Sequence, residues 1–416
     1  MTNPTPLSDS SYAARMHFVI ELAERLHAYG TTAQRLEGAI SSVAQKLRLE
    51  CEPWSSPTAL ILTFSDPMRP PGESDATRVI RLPPGENDLY RLGETDRIAE
   101  AVLAGKLNLV EAHALMAAMD LPPSRRAKAM QVLGFGLAAA AVAGLLRLPW
   151  LEIGVAAANG LFIGWLVLLS DSRPRLKEGV DAVAAMVAAS VTLLVASFIA
   201  PLNQNTVIIA SLIVLLPGLA LTNAVSELTS QHLVSGTARF AGAVTTVIKL
   251  AVGVVIALYV ARLIGLEPMV RALRPQPGWV EAVSLVTAAF AFAVLFRGHR
   301  NDYPKVMVAA AGGYLVSRYA GLALGAPAGI FLAALLVTAA GNAYARWCHR
   351  PGAIIRVPGI IMLVPGSASL RGLLTLIQQQ NVDAGQEAFL SVLNILLALV
   401  AGLLFGNLLL PSRRNL

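Results

Sequence analysis

Along residues 13–29 and 33–48 the apolar positions Val19, Leu22, Leu26 and then Leu36, Ile40, Val43, Leu47 recur at steps of three and four. That is the period of one helix face, so the spacing predicts two amphipathic helices. Gly30 between them suits a helix C-cap, and Thr31 with Gln34 has the spacing of a capping box that would start the second helix. In "ALILTF" (59–64) and "RVIRL" (78–82) the pattern reads as strand, with a loop rich in Pro, Gly and Asp between them. Residues 88–130 return to short helical patterns, so residues 1–130 read as a small α/β domain.

From Gln131 onward polar positions thin out and apolar runs of bilayer-spanning length follow one another. They cover about 131–148, 151–170, 180–200, 205–222, 238–263, 279–297, 304–323, 325–346, 353–376 and 387–410. The fourth run carries Pro217-Gly218 in "LLPGLALTN", and the ninth carries Pro365-Gly366 in "LVPGSASLRG". Sliding the region against itself by about 148 residues lays one Pro-Gly on the other and superposes the layout of the runs. Five runs per half is odd, so the second half enters the membrane from the opposite side: residues 131–264 and 279–412 read as two inverted repeats of five helices. The fold class expected is mainly α, a polytopic helical membrane protein preceded by a small cytoplasmic α/β domain.

Composition agrees with this division. The 416 residues are 55% hydrophobic and 14% charged, outside the soluble range. Residues 1–130 hold 14 Lys and Arg against 16 Asp and Glu, whereas residues 131–416 hold 19 against 10. The basic excess lies in short connections between apolar runs, where membrane orientation explains it better than nucleic acid does. With the first domain in the cytoplasm, Arg173, Arg175, Lys177, Arg297, Arg300, Lys305, Arg346, Arg350, Arg356, Arg413 and Arg414 fall inside. Arg147, Arg262, Arg271, Arg274, Arg318 and Arg371 fall outside, and the excess inside places both termini in the cytoplasm. The N-terminus lacks the pattern of a cleaved signal peptide, and the two cysteines, Cys51 and Cys348, read as plain thiols. No "GxSxG", "HExxH" or "GxxxxGK[ST]" occurs, so hydrolase, zinc-protease and ATP-pump chemistry have no support, and no metal or cofactor is expected.

Several stretches in this order resemble one family. They are "AYGTTAQRLEGAISSVAQKLRL", "PTALILTF", "TRVIRL" and "GKLNLVEAHAL" in the first domain, then "LLPGLALTNAVSELTSQHLVSGTARF" and "VPGIIMLVPGSASLRGL". The chain resembles the threonine/serine exporter family, whose architecture is a cytoplasmic N-domain followed by ten transmembrane helices. The resemblance implies a secondary exporter of small amino acids such as threonine and serine, coupled to protons, in the inner membrane. Relatives with a split version of the same architecture are linked to dicarboxylates, so solutes such as succinate are the alternative cargo. The chain departs from the family pattern at Glu227, where aspartate stands as often, and at "SASLRG", where an aromatic residue often follows the second Pro-Gly.

Proline removes an N–H and obstructs the preceding turn, so each Pro-Gly frees backbone polar groups inside a span. Freed amides suit a carboxylate and freed carbonyls an ammonium, so Pro217, Gly218, Asn223, Pro365, Gly366 and Arg371 are the expected substrate-binding residues. A packing kink is the other reading of either break. Glu227 and Arg239 are candidates for a gating or proton-coupling pair, or else plain residues of the cytoplasmic face, with His232 a weaker candidate. Lys249 is the one charge deep in the fifth run: a counter-ion or proton-coupling group, or a structural pair. Glycines at spacing four, Gly160/Gly164, Gly321/Gly325/Gly329 and Gly402/Gly406, fit close helix packing. The expected partners are an amino-acid substrate, protons and membrane lipids, with a homo-oligomer left open and no nucleic acid. A reading from another class is a membrane-tethered enzyme or sensor that works through the N-domain.

Overall fold

The computed structural model describes residues 11–68, 70, 75–270, 275–364, 366–379 and 382–411. The N-domain comprises α1 (Tyr12–Ala28), α2 (Ala33–Lys46), β1 (Glu50–Ser56), β2 (Ala59–Ser65), β3 (Ala76–Arg81), α3 (Leu89–Leu103) and α4 (Leu109–Ala118). The strands form an antiparallel sheet in the order β1-β2-β3, with Leu60 facing Ser55 on one side and Ile80 on the other. Leu60, Leu62 and Phe64 point inward at every second position of β2 and pack against Val19, Leu22, Leu26, Leu36, Ile40, Val43 and Leu47. The seven positions read as the buried faces of two helices are thus the domain's core, joined by Ile98, Val102 and Met116 of α3 and α4. Gly30 takes φ +82 just past α1, the left-handed conformation expected of a helix-ending glycine.

Two local expectations are corrected. The capping box at Thr31 and Gln34 does not form: Thr32 is the N-cap of α2 and makes no side-chain cap bond. Instead Glu227, far along the chain, accepts from the Ala33 N–H at 3.0 Å, because a tertiary carboxylate outcompetes a local hydroxyl for a helix-terminal donor. Strand β1 was not anticipated, since Pro53 and two serines break its pattern; it survives as an edge strand, where a missing N–H faces no partner.

The membrane region contains α5 (Arg125–Leu145), α6 (Trp150–Ser170), α7 (Pro174–Phe198), α8 (Gln204–Ser211), α9 (Gly218–Thr229), α10 (Leu233–Leu263), α11 (Gly278–Leu295), α12 (Tyr303–Leu324), α13 (Ala326–Cys348), α14 (Ala353–Ile361), α15 (Gly366–Gln379) and α16 (Val382–Leu409). Among the described residues eight helices are long and apolar enough to cross a membrane: α5, α6, α7, α10, α11, α12, α13 and α16. The fourth and ninth apolar runs are each two short helices instead, α8 with α9 and α14 with α15. Helix α5 begins at Arg125, so the first long apolar helix starts ahead of the boundary read at residue 130. The chain is a mainly helical, polytopic membrane protein that carries a small three-stranded sheet.

Neighbour relations in the two halves correspond. Helix α6 packs on α5 and α7, α8 on α5, α6 and α7, and α10 on α7 and α9. In the second half α12 packs on α11 and α13, α14 on α11, α12 and α13, and α16 on α13 and α15. Helices α5 and α11 pack against each other, α9 meets α14 as α15 meets α8, and α9 meets α16 as α15 meets α10. Small residues permit these approaches: a Cβ at Gly160 would lie 2.7 Å from the Phe135 carbonyl oxygen of α5, and one at Gly402 2.6 Å from that of Phe331 on α13. Gly325 has a different role from its spacing partners; with φ +93 it is the residue at which α12 ends and α13 begins.

The N-domain is fastened to both halves. The Leu89 N–H donates to the Phe296 carbonyl at 3.0 Å, and Arg297 pairs with Glu86 and Asp88. His232 meets Glu37 at 3.0 Å, and Tyr90 stacks on His299. Leu89 shares a small buried cluster with Ala293, Val306, Ala353 and Ile354.

Candidate functional site

The two interrupted runs come together at their breaks. After Ser211 the helix ends in turns through Leu216, Pro217 takes φ −80 and ψ 40, and helix resumes at Gly218. In the other half α14 ends at Ile361 and helix resumes at Gly366, while Pro365 lies outside the described residues. A Cβ placed on Gly366 would stand 3.5 Å from the Gly218 Cα, and one placed on Gly218 would collide with Val364 and approach the Gly366 nitrogen to 3.3 Å. Close approach favours glycine here: the two breaks pack with their backbones near contact, and a Cβ at Gly218 would have to displace the Val364 side chain.

On the N-domain side of this contact, Glu227 near the end of α9 is 1% exposed and carries four hydrogen bonds. Arg239 of α10 donates two of them at 3.0 Å each, the Ser235 hydroxyl a third at 2.9 Å, and the Ala33 N–H of α2 the fourth. A carboxylate taken out of water is tolerated when every lone pair is met in this way. The pair expected from sequence therefore exists, and it is also the N-terminal anchor of an N-domain helix. His232 joins the same seam through Glu37, whose other oxygen accepts from the Ser55 N–H at 2.7 Å.

Between α2 and the helices α9, α13, α14 and α16 lies a cavity of about 850 Å³. Its wall runs from the N-domain residues Thr31, Arg35, Ser42 and Gln45 to Leu219 and Ile360, which adjoin the two breaks. The deep end is apolar, with Leu219, Ile360 and Leu403 belonging to one buried cluster. The polar part contains Asn223, Ser226, Asn342, Asn407, Arg35 and Arg356. Asn342 donates to the Asn407 side-chain oxygen at 2.8 Å and to the Leu410 carbonyl at 2.7 Å. Among the described residues, the Arg35 and Arg356 guanidiniums form no hydrogen bond or ion pair, although they stand close enough to repel each other. Burial pulls the Arg35 guanidinium down to about 10, which still leaves it charged at neutral pH. The Thr31 hydroxyl oxygen in the same wall is buried without a partner. Glu50 and Glu52 also border the cavity, both exposed, on β1.

Of the other expected site residues, Asn223 faces the cavity, and Pro217, Gly218 and Gly366 lie in the packed contact behind it. Lys249 reaches α7, donating to the Glu178 carbonyl at 2.9 Å with Asp181 in electrostatic range, away from the cavity wall. Arg371 is exposed on α15, also away from that wall. Sequence reasoning missed the two cavity arginines as site residues. Arg356 could have been found, as a charge inside a predicted span, whereas Arg35 looks like any polar position on an amphipathic helix. It also missed a meeting of His17, Glu21 and His113 whose ligand atoms lie within 4.8 Å of one another. There Glu21 already bonds Arg25 through one oxygen and His113 through the other, and Arg25 in turn holds Asp120.

Comparison with known proteins gives a consistent result. A family model described as threonine/serine exporter matches residues 17–261, and a second, described as Threonine/Serine exporter, ThrE, matches residues 281–409. Among curated proteins the chain is similar to the Pheromone-regulated membrane protein 10 of Pichia sorbitophila, 23% identical over 390 residues, covering 89% of this chain and 38% of that protein. The protein of the same name from Eremothecium gossypii is 22% identical over 379 residues, covering 88% of this chain and 50% of the relative. That from Debaryomyces hansenii is 23% identical over 381 residues, covering 86% and 36%. The chain thus spans half or less of the length of these relatives. No solved structure matches.

Proposed function

We propose, from the premise that the chain belongs to the threonine/serine exporter family, that it is a secondary exporter of small amino acids such as threonine and serine, driven by the proton gradient. The observation that carries this is the contact of two interrupted spans at Gly218 and Gly366, directly behind a cavity that opens toward the N-domain. Irregular backbone at membrane depth persists only where it is buried in protein or lines a polar cavity, which is how discontinuous helices build transport sites. The corresponding neighbour relations of α5–α10 and α11–α16 support two inverted repeats of five spans, each with one broken member. In this reading the N-domain and both termini are cytoplasmic, the membrane is the inner one, and the cavity is the inward-facing entrance. Glu227 and Arg239 hold the N-domain over that entrance and exchange partners when it moves.

Counterflow into proteoliposomes preloaded with threonine, serine, alanine or succinate tests the proposal. Uptake of labelled threonine or serine, accelerated by an imposed pH gradient, is the expected result. Exchange of succinate alone moves the assignment to a small dicarboxylate, and no exchange of any of the four overturns the transporter reading. Catalytic turnover by the N-domain would favour a tethered enzyme instead.

A further inference from the structure

Two guanidiniums in the wall of one cavity, near enough to repel each other and without a counter-charge, need a reason. Other guanidiniums at the domain seam and in the N-domain have one: Arg25 has Glu21 and Asp120, and Arg239 has Glu227. Taking an unpaired charge out of water is unfavourable, and bringing a second like charge toward it adds to the cost. Arg35 and Arg356 are each half-buried in the cavity wall, so they meet the first condition in part, and they stand close enough to repel each other, which meets the second. The carboxylates that border the cavity, Glu50 and Glu52, sit exposed on β1 and make no ion pair with either arginine. What removes the cost is an anion between the two forks, and the guanidinium fork matches a carboxylate through two parallel N–H bonds.

A second observation points the same way. The Thr31 hydroxyl, one turn before Arg35 in the same wall, is buried with no partner. The Asn223 side chain opposite, on α9, makes no hydrogen bond among the described residues. Asn342 has its amide nitrogen engaged by Asn407 and Leu410, so an acceptor oxygen remains to it. The wall therefore presents two fixed cations and several uncommitted neutral polar groups around a space of about 850 Å³, ample for a small polar solute.

We infer that this cavity is a carboxylate-binding site assembled from two parts of the chain, Arg35 on N-domain helix α2 and Arg356 on membrane helix α14. The N-domain is then a wall of the binding site, and the seam at Glu227, Ala33 and Arg239 sets the distance between the two arginines. The inference rests on the reading of the chain as a transporter of small carboxylate-bearing solutes, and it adds where the carboxylate is held and which domain supplies half of the grip.

The test is equilibrium binding to the purified full chain, with L-threonine, L-threonine amide and succinate as probes, alongside counterflow on the same variants. The wild type is expected to bind at least one of the two carboxylates and to ignore the amide. Arg35→Gln and Arg356→Gln should each weaken binding about tenfold or more, as expected when a charge-assisted pair is lost. Arg35→Lys should recover part of it. Removing one of two mutually repelling charges should not lower the melting temperature of the ligand-free protein, so lost binding with an unchanged melting point is distinguishable from misfolding. If the wild type binds none of the probes, binds the amide equally well, or both glutamine variants keep wild-type affinity, the inference is wrong. Counterflow separates the two levels: exchange that survives both substitutions with unchanged KM sinks the site but leaves the exporter, whereas binding without any counterflow sinks the exporter but leaves the site.

Discussion

Glu227 shows how one side chain can serve two domains. Its carboxylate closes the N-terminus of α2 and grips Arg239 with both oxygens, in a place nearly free of water. Removing one member of such a set leaves the others buried and unmet, so Glu227→Ala is expected to cost roughly 3 kcal/mol of stability. Arg239→Ala should cost a similar amount, and the double variant less than the sum, because the pair is one interaction. Denaturant unfolding in detergent measures all three. Asp96 on α3 offers a pH handle outside the membrane. Burial, with Glu100 nearby, pushes its carboxyl up to about 8, against the opposing pull of Arg350. A carboxyl whose folded value is raised favours the fold while protonated, so its contribution is complete in acid and is lost as pH rises through about 8. The melting temperature should fall as pH rises from about 4 to about 8 and change little above that, and Asp96→Asn should flatten the slope; an identical slope in the variant would contradict the assignment.

Among elements, the decisive contact is between the break before α9 and the break before α15. Gly218 is packed so closely on Val364 and Gly366 that the first added carbon has nowhere to go. Overpacking of this kind forces backbone to shift, and a displaced half-helix beside the proposed transport site would misplace whatever that site holds. Gly218→Ala should therefore lower the counterflow rate about tenfold while the protein still reaches the membrane. Val364→Ala removes the nearest obstructing methyl and should restore part of the rate in the double variant. Elsewhere the helices were legible as elements, because apolar runs and period-3.6 faces are local properties. Strand β1 was not, since its register depends on β2 and on an edge position that excuses Pro53.

For the whole molecule, one long helix gives the proposed orientation a test. Helix α10 starts at Leu233, beside the Glu37–His232 pair, and runs for 31 residues. At about 1.5 Å per residue that is roughly 46 Å, enough to carry Leu266 and Glu267 to the opposite face. Cys348 is exposed near the N-domain side, three residues beyond the cavity-lining Ala345. In a Cys51→Ser background, a membrane-impermeant maleimide should label Cys348 in inside-out vesicles, and should label Glu267→Cys, made with Cys348→Ser, in right-side-out cells. Labelling of both from one side would refute the proposed orientation and with it the inward-facing reading of the cavity.

What the sequence determined by itself is whatever follows from local period and covalent constraint. Apolar spacing set the core of the N-domain and the long helices, Gly30 ended α1, and two Pro-Gly dipeptides interrupted two spans. Only the tertiary structure decided which distant groups meet. Glu227 displaced the local Thr31 box because a full charge binds an amide at a helix terminus better than a hydroxyl does. Gly218 found Gly366 because, without side chains, the two broken helices can bring their backbones this close. Arg35 and Arg356, more than three hundred residues apart, share one cavity because an N-domain helix is docked over the membrane helices. Spacing along a chain carries no record of that distance, and charge in the cavity depends on it.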